Sequence, residues 1–127
     1  MKYLLTILFT CSMVYSVEES VKLKVDEAFK RIDGNINYAM GNINGLPSLG
    51  KGAVEYALPM IFERYEKLKT AGGTKFTLIL LNAVQHDDFP VSKELYDKLV
   101  SISDPNNENE KVCLMRIIER TPGFSGH

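Results

Sequence analysis

The stretch Thr70-Ala-Gly-Gly-Thr-Lys-Phe-Thr-Leu-Ile-Leu-Leu-Asn-Ala-Val84 contains the longest apolar run that follows the first residues of the chain. A glycine pair leads into residues 75–84, which are rich in the Phe, Leu, Ile, Thr and Val side chains common in strands. Both alternating faces of this run are apolar, as is typical of a strand covered on both sides. We therefore expect a buried central strand.

A second strand is predicted near the end of the chain, over residues 111–121. Cys113, Met115 and Ile117 fall on one face of this segment if side chains alternate. Pro122 and Gly123 then end it. The two segments together predict a small antiparallel sheet.

Helical patterns occupy much of the remaining chain. One stripe begins after residue 17, a second follows the glycine-rich linker at residues 45–52, and a short helix over residues 93–102 has Ser92 as its N-cap. Pro59 interrupts the second stripe, so the helix either kinks there or gives way to a new element. We predict an α+β fold in which the antiparallel sheet packs against one or two amphipathic helices.

The first sixteen residues have the organisation of a secretory signal peptide. Lys2 supplies the basic start, residues 3–13 are apolar, and Val14 and Ser16 occupy the small-residue positions before a cleavage site. We therefore expect residues 1–16 to be removed and residues 17–127 to form a single secreted, extracellular α+β domain.

Charge and cysteine content narrow the range of partners. The 15 basic and 16 acidic residues nearly cancel and are scattered, which argues against nucleic acid and against a membrane surface after signal removal. Cys11 leaves with the signal, so Cys113 is the only cysteine of the mature chain. It is predicted to be either a buried core thiol or the bridge of a disulfide-linked dimer.

Catalytic, metal-binding and cofactor-binding arrangements are hard to assemble from this sequence. Cys113 and His86 would be the nucleophile and base of a thiol enzyme, but an apolar setting raises a thiol pKa. His86, Asp87 and Asp88 form one polar cluster without a second ligand cluster, and the glycine pair lacks a phosphate-loop ending. We expect no enzyme activity, no bound metal and no cofactor.

The order of elements resembles the cystatin family. Residues 65–81 contain Gly-Gly-Thr-Lys-Phe-Thr-Leu, similar to the family's hairpin and following strand, and residues 111–124 contain a Cys-bearing strand that ends at a Pro. The resemblance implies a cystatin-like fold, a sheet wrapped around one helix. It also implies a thiol protease inhibitor that occludes the cleft of a papain-like cysteine protease with two hairpins.

The resemblance assigns a protease-binding role to two groups of residues. The first hairpin corresponds to Ala71, Gly72 and Gly73, and the second to Pro122, Gly123 and Phe124. The family's Gln-x-Val-x-Gly and Pro-Trp motifs are absent, since this chain has no Trp. The structural alternative is that the glycines form a simple turn or a helix stop.

A second function is compatible with the same composition. Amphipathic segments rich in Tyr, Met and Phe would enclose a small apolar molecule or present a surface to another protein. The alternative hypothesis is therefore a secreted hydrophobic-ligand carrier or protein-interaction module without inhibitory activity.

Overall fold

The computed structural model describes residues 17–121, and within this range the chain is helical and contains no strand. The predicted signal peptide, residues 1–16, and residues 122–127 lie outside the described part. None of the described helices is long and apolar enough to cross a membrane. Between residues 17 and 121 the α-helices are α1 Glu19–Gly34, α2 Ala39–Asn44, α3 Ala53–Glu63, α4 Tyr65–Gly72, α5 Phe76–Gln85, α6 Lys93–Ile102 and α7 Glu108–Ile118.

The prediction of an α+β fold was wrong, and its central strand is helix α5. Phe76, Leu80 and Val84 recur every four residues and are all fully buried, together with Leu81 and Ala83. A short run that is apolar on both alternating faces is also what a helix buried on most sides requires. Helices α2, α4 and α7 pack around α5. The apolar run is therefore central, as predicted, but it is a helix and not a strand.

The second predicted strand is also wrong, because residues 108–118 form helix α7. The Asn107 side chain accepts a hydrogen bond from the backbone N–H of Glu110 at 3.0 Å and caps the helix. Cys113 and Ile117 are buried, whereas Met115, predicted on the same face, is 66% exposed. This arrangement fits the spacing of a helix and contradicts alternation. A cystatin-like sheet is therefore absent from residues 17–121.

Pro59 lies inside helix α3, and a second helix follows after a break. The chain leaves helical geometry at Arg64 and re-enters it in α4. Gly73 then ends α4 with φ +57°, a conformation that side chains with a Cβ rarely adopt, and its N–H donates to the Lys69 carbonyl. Residues 60–69 are therefore helical on both sides of Arg64, and the glycine pair is a helix stop.

The helices predicted from periodicity are confirmed. Helix α1 buries one stripe, and α6 begins where the Ser92 side chain accepts from the Leu95 N–H at 3.1 Å. One hydrophobic core joins the inner faces of all these helices around α5. Its largest fully buried side chains are Phe29, Phe76, Ile32, Ile43, Leu46, Ile61, Leu68, Leu80, Leu81, Leu99, Ile117 and Val25.

Candidate functional site

The residues assigned to the first inhibitory hairpin belong to the end of α4. Ala71 is exposed, Gly72 is half-buried beside Met40, and Gly73 is the exposed cap. With no strand on either side, these three residues do not form a hairpin tip. Pro122, Gly123 and Phe124 lie outside the described residues.

The Cys113 thiol and the His86 imidazole do not line the Lys51, Pro59 or Asp33 clefts defined in this section. Cys113 is buried in α7, and burial raises the pKa of its thiol. His86 is exposed at the C-terminus of α5. Within residues 17–121, no group of three or more His, Cys, Asp or Glu side chains is placed to hold a metal ion.

Two adjoining clefts run along α3 and share two residues, Glu55 and Phe89. We call the first the Lys51 cleft and the second the Pro59 cleft, and together they form the α3 groove. Their volumes are about 520 Å³ and about 600 Å³, respectively. The Lys51 cleft is lined by Glu18, Ser20, Val21, Lys24, Leu49, Gly50, Lys51, Gly52, Glu55, Asp88 and Phe89. The Pro59 cleft is lined by Glu55, Leu58, Pro59, Phe62, Phe89, Pro90, Ser92, Glu94, Leu95 and Lys98.

The floor of the α3 groove is apolar and held in place. Phe89 and Leu58 are 5% and 6% exposed, so each presents only an edge to the groove. The Arg120 guanidinium lies 5.4 Å from the Phe89 ring centroid and donates to the Val84 carbonyl at 2.7 Å. Burial lowers the pKa of this guanidinium, an effect that the carboxylates of Asp87 and Asp88 oppose.

The Lys51 cleft depends on a close approach between the chain before α3 and the residues before α1. Gly52 has φ +85°, and a Cβ at this position would lie 2.8 Å from a methyl carbon of Val17. A residue with a side chain would therefore push the loop away from Val17. The contact places the N-terminus of α3 beside the first residues of the described chain.

Glu55, the third residue of α3, lies at the junction of the two clefts. Its side chain is half-buried and makes no hydrogen bond or ion pair with any residue between 17 and 121. Burial, and secondarily the negative charge of Asp87, raises the pKa of the Glu55 carboxyl group. The groove therefore contains a hydrogen-bond acceptor that the described protein does not satisfy.

Pro59 leaves a second hydrogen-bond acceptor of Glu55, its backbone carbonyl oxygen, without the usual donor. Proline has no backbone N–H, so the Glu55 carbonyl oxygen lacks the donor that a helix normally supplies four residues later. Pro59 is exposed and lines the groove beside Glu55. Both the side chain and the backbone of Glu55 are thus deprived of their usual protein partners.

An aromatic ring in the Pro59 cleft already contacts an ammonium group. The Lys98 Nζ lies 4.1 Å from the centroid of the Phe62 ring, within the range of a cation–π interaction. Both residues line the cleft. The protein's own ammonium group therefore covers part of the Phe62 ring at this end of the groove.

A separate cleft of about 560 Å³ lies between α1 and α4, and we call it the Asp33 cleft. The Arg64 guanidinium donates to both carboxylate oxygens of Asp33, each at 2.8 Å, and lies 5.2 Å from the Phe29 ring centroid. The central polar groups of this cleft therefore satisfy one another. It also includes Ala71, one of the residues assigned to the first predicted hairpin.

Sequence reasoning missed Glu55, although a local signal was present. A Glu placed four residues before a proline, and just after a Gly-Lys-Gly turn, is an acceptor-rich position at the start of a helix. Phe89, which lines both clefts with Glu55, comes from a distant part of the chain. Only the packing of the loop after α5 against α3 brings the two together.

The described residues include no arrangement that identifies a known site, and the resemblance to cystatins rests on the quoted residues alone. The helical structure contradicts the sheet that this resemblance implied. No family model, no curated protein and no solved structure matches this chain.

Proposed function

We propose that this chain is a small secreted binding protein that carries an elongated apolar molecule in the α3 groove. Secretion follows from the predicted signal peptide of residues 1–16. The proposal retains the carrier hypothesis, with one change: the ligand lies in a surface groove along α3 and is not enclosed within the packed core.

The observation that carries the proposal is the junction of two clefts over one apolar floor. Each cleft has a volume within the range of about 300–1,000 Å³ that small-molecule sites occupy. Phe89 belongs to both clefts, so one molecule can lie across them. Phe62, Leu95 and the two prolines of the Pro59 cleft add apolar surface at one end.

The test is titration of the purified protein with a neutral fluorescent probe, N-phenyl-1-naphthylamine, whose emission rises in apolar surroundings. We expect saturable binding at micromolar concentrations. Leu95→Ser, at a half-buried position in the Pro59 cleft, should weaken binding about 5-fold, roughly 1 kcal/mol of lost apolar contact.

Ile36→Ser is the matched control, because it removes a similar apolar side chain from the Asp33 cleft. It should leave probe binding unchanged. Circular dichroism and thermal unfolding establish that both variants remain folded. A lack of saturable binding, or a loss with Ile36→Ser alone, would contradict the proposal.

The geometry supports inhibition of a papain-like protease less well. That prediction depended on two hairpin tips, and residues 71–73 end a helix. It stays a prediction from the resemblance, and a direct assay is described below.

A further inference from the structure

We infer that the molecule carried in the α3 groove bears a cationic amine, which docks on Glu55. The ligand class is an elongated apolar skeleton with a primary or secondary amine that is protonated at neutral pH. This inference rests on the proposed function, because it names the chemistry of a ligand in the same groove.

Glu55 has hydrogen-bond acceptors that the described protein leaves without their usual donors. Its half-buried carboxylate has no partner in residues 17–121, and Pro59 removes the usual donor to its carbonyl oxygen. A partly buried polar group without a hydrogen bond is costly, and a charged group more so. An ammonium supplies N–H donors and a positive charge, and the Glu55 carboxylate can accept both.

The charges around Glu55 also favour a cation. The acidic groups that line the groove are Glu18, Glu55, Asp88 and Glu94, and the basic groups are Lys24, Lys51 and Lys98. The carboxylate of Asp87, next to the groove, adds to the negative field at Glu55. Neither Lys24 nor Lys51 pairs with Glu55, and both are exposed. A carboxylate ligand at this position would be repelled, whereas an ammonium would be attracted.

An apolar surface is shared by the two clefts that meet at Glu55. Phe89 lines both clefts, as Glu55 does, and presents the edge of its ring to the groove. The methylene groups beside a ligand amine would pack against this surface. Amine recognition and apolar contact are therefore available at the junction of the two clefts.

The experiment compares three ligands with the same ten-carbon chain: decylamine, decanol and decanoate. Each competes with bound N-phenyl-1-naphthylamine below its micelle concentration. We expect decylamine to bind about 10-fold more tightly than decanol, and decanoate to bind most weakly. This factor corresponds to one hydrogen-bonded charge pair of about 1.4 kcal/mol.

Glu55→Gln should abolish the preference for the amine while decanol binding is retained. Glu66→Gln is the matched control, since it removes the same charge from an exposed position in the Asp33 cleft. It should leave the preference unchanged. In the unsubstituted protein the preference should also decline as pH falls through the titration of Glu55, while decylamine itself stays charged.

The outcomes separate this inference from the proposed function. If all three ligands compete equally, or if Glu55→Gln keeps the preference for the amine, the inference is overturned and apolar binding stands. If none of the ligands and no probe binds, both fail. A preference for decanoate that depends on Lys51 would also overturn the inference.

Discussion

The carboxylate of Asp87 accepts a hydrogen bond from the backbone N–H of Val54 at 3.0 Å. Its other oxygen lies 3.4 Å from the Gly52 nitrogen, so one buried side chain just after α5 caps the N-terminus of α3. A carboxylate is favoured there because the first backbone N–H groups of a helix have no helical partner. This contact places Phe89, two residues later, against α3 and thereby forms the floor of the α3 groove.

Asp87→Ala should destabilise the protein by about 1–2 kcal/mol, the usual effect of removing a helix cap, because the N–H groups of a buried helix start lose their acceptor. Urea unfolding followed by circular dichroism measures the change. Asp88→Asn, at the exposed neighbouring position, is the control and should change stability by less than about 0.5 kcal/mol. Equal effects of the two substitutions would show that Asp87 does not act as the cap.

Glu55→Gln should raise the melting temperature at pH 7 and leave it unchanged near pH 3. Burial raises the folded-state pKa of Glu55, so the fold favours the neutral carboxyl. The stability that this carboxyl contributes is therefore complete below its unfolded pKa and is lost as pH rises through the higher folded value. Thermal unfolding across this pH range tests the sign. A lower melting temperature at pH 7 would indicate that Glu55 has a stabilising partner.

Asp33→Asn should lower the stability of the protein at pH 7 and have little effect at low pH, in contrast to the gain expected for Glu55→Gln at pH 7. Hydrogen bonds from Arg64 lower the folded-state pKa of Asp33, so the pair contributes stability above the unfolded pKa and loses it as pH falls through the folded value. The Asp33 side chain is 54% exposed, and screening by solvent limits the contribution to about 0.5–1 kcal/mol at pH 7. Unfolding at pH 7 and pH 2.5 measures it, and an equal loss at both pH values would contradict an electrostatic origin.

Arg64→Lys distinguishes the geometry of this pair from its charge. A lysine retains the positive charge but lacks the planar fork that donates to both oxygens of Asp33 and lies over Phe29. We expect it to destabilise at least as much as Asp33→Asn at pH 7, and to retain a loss at low pH. The same urea titrations provide the comparison.

Cys113 should be inert toward Ellman's reagent in the folded protein and react fully in denaturant. The thiol is 5% exposed in α7, and burial raises its pKa, so little reactive thiolate is accessible. The disulfide-linked dimer predicted as an alternative requires this sulfur to reach a second chain. Migration as a monomer on a non-reducing gel would agree with the buried position, whereas a dimer band lost on Cys113→Ser would support the bridge.

The prediction of protease inhibition is tested by titrating the purified protein against papain. We expect no inhibition at micromolar concentration, because residues 71–73 cap a helix and do not present a hairpin. Gly73→Glu is the informative variant, since it would block a protease-facing tip. Inhibition that this variant abolishes would restore the inhibitor hypothesis in a helical protein.

Part of the fold was predictable from local pattern. The stripes of α1, α3 and α6 have a helical period, and Ser92 is an N-cap in the structure as in the sequence. The apolar run predicted over residues 75–84 is central, and Cys113 is buried, which was one of its two predicted alternatives. These features follow from the burial of apolar side chains, and the sequence shows directly which side chains are apolar.

The conformation of the apolar segments was not predictable in the same way. Residues 76–85 are about the length at which a buried strand and a buried helix have the same composition. A strand would have required a paired neighbour for its backbone N–H and C=O groups, and α7 is itself helical. As a helix, α5 pairs its backbone N–H and C=O groups internally, and the side chains on all of its faces can pack against neighbouring helices.

The sequence by itself determined where the chain is amphipathic, where it breaks and which segment lies at the centre. Tertiary structure decided that this central run is a helix, and that the glycines before it are a stop. It also decided the candidate site, because Glu55 and Phe89 line one groove only when the loop that contains Asp87 packs on the start of α3. The spacing of apolar residues along the chain indicates which side chains are buried. A groove, in contrast, depends on contacts between residues far apart in the chain.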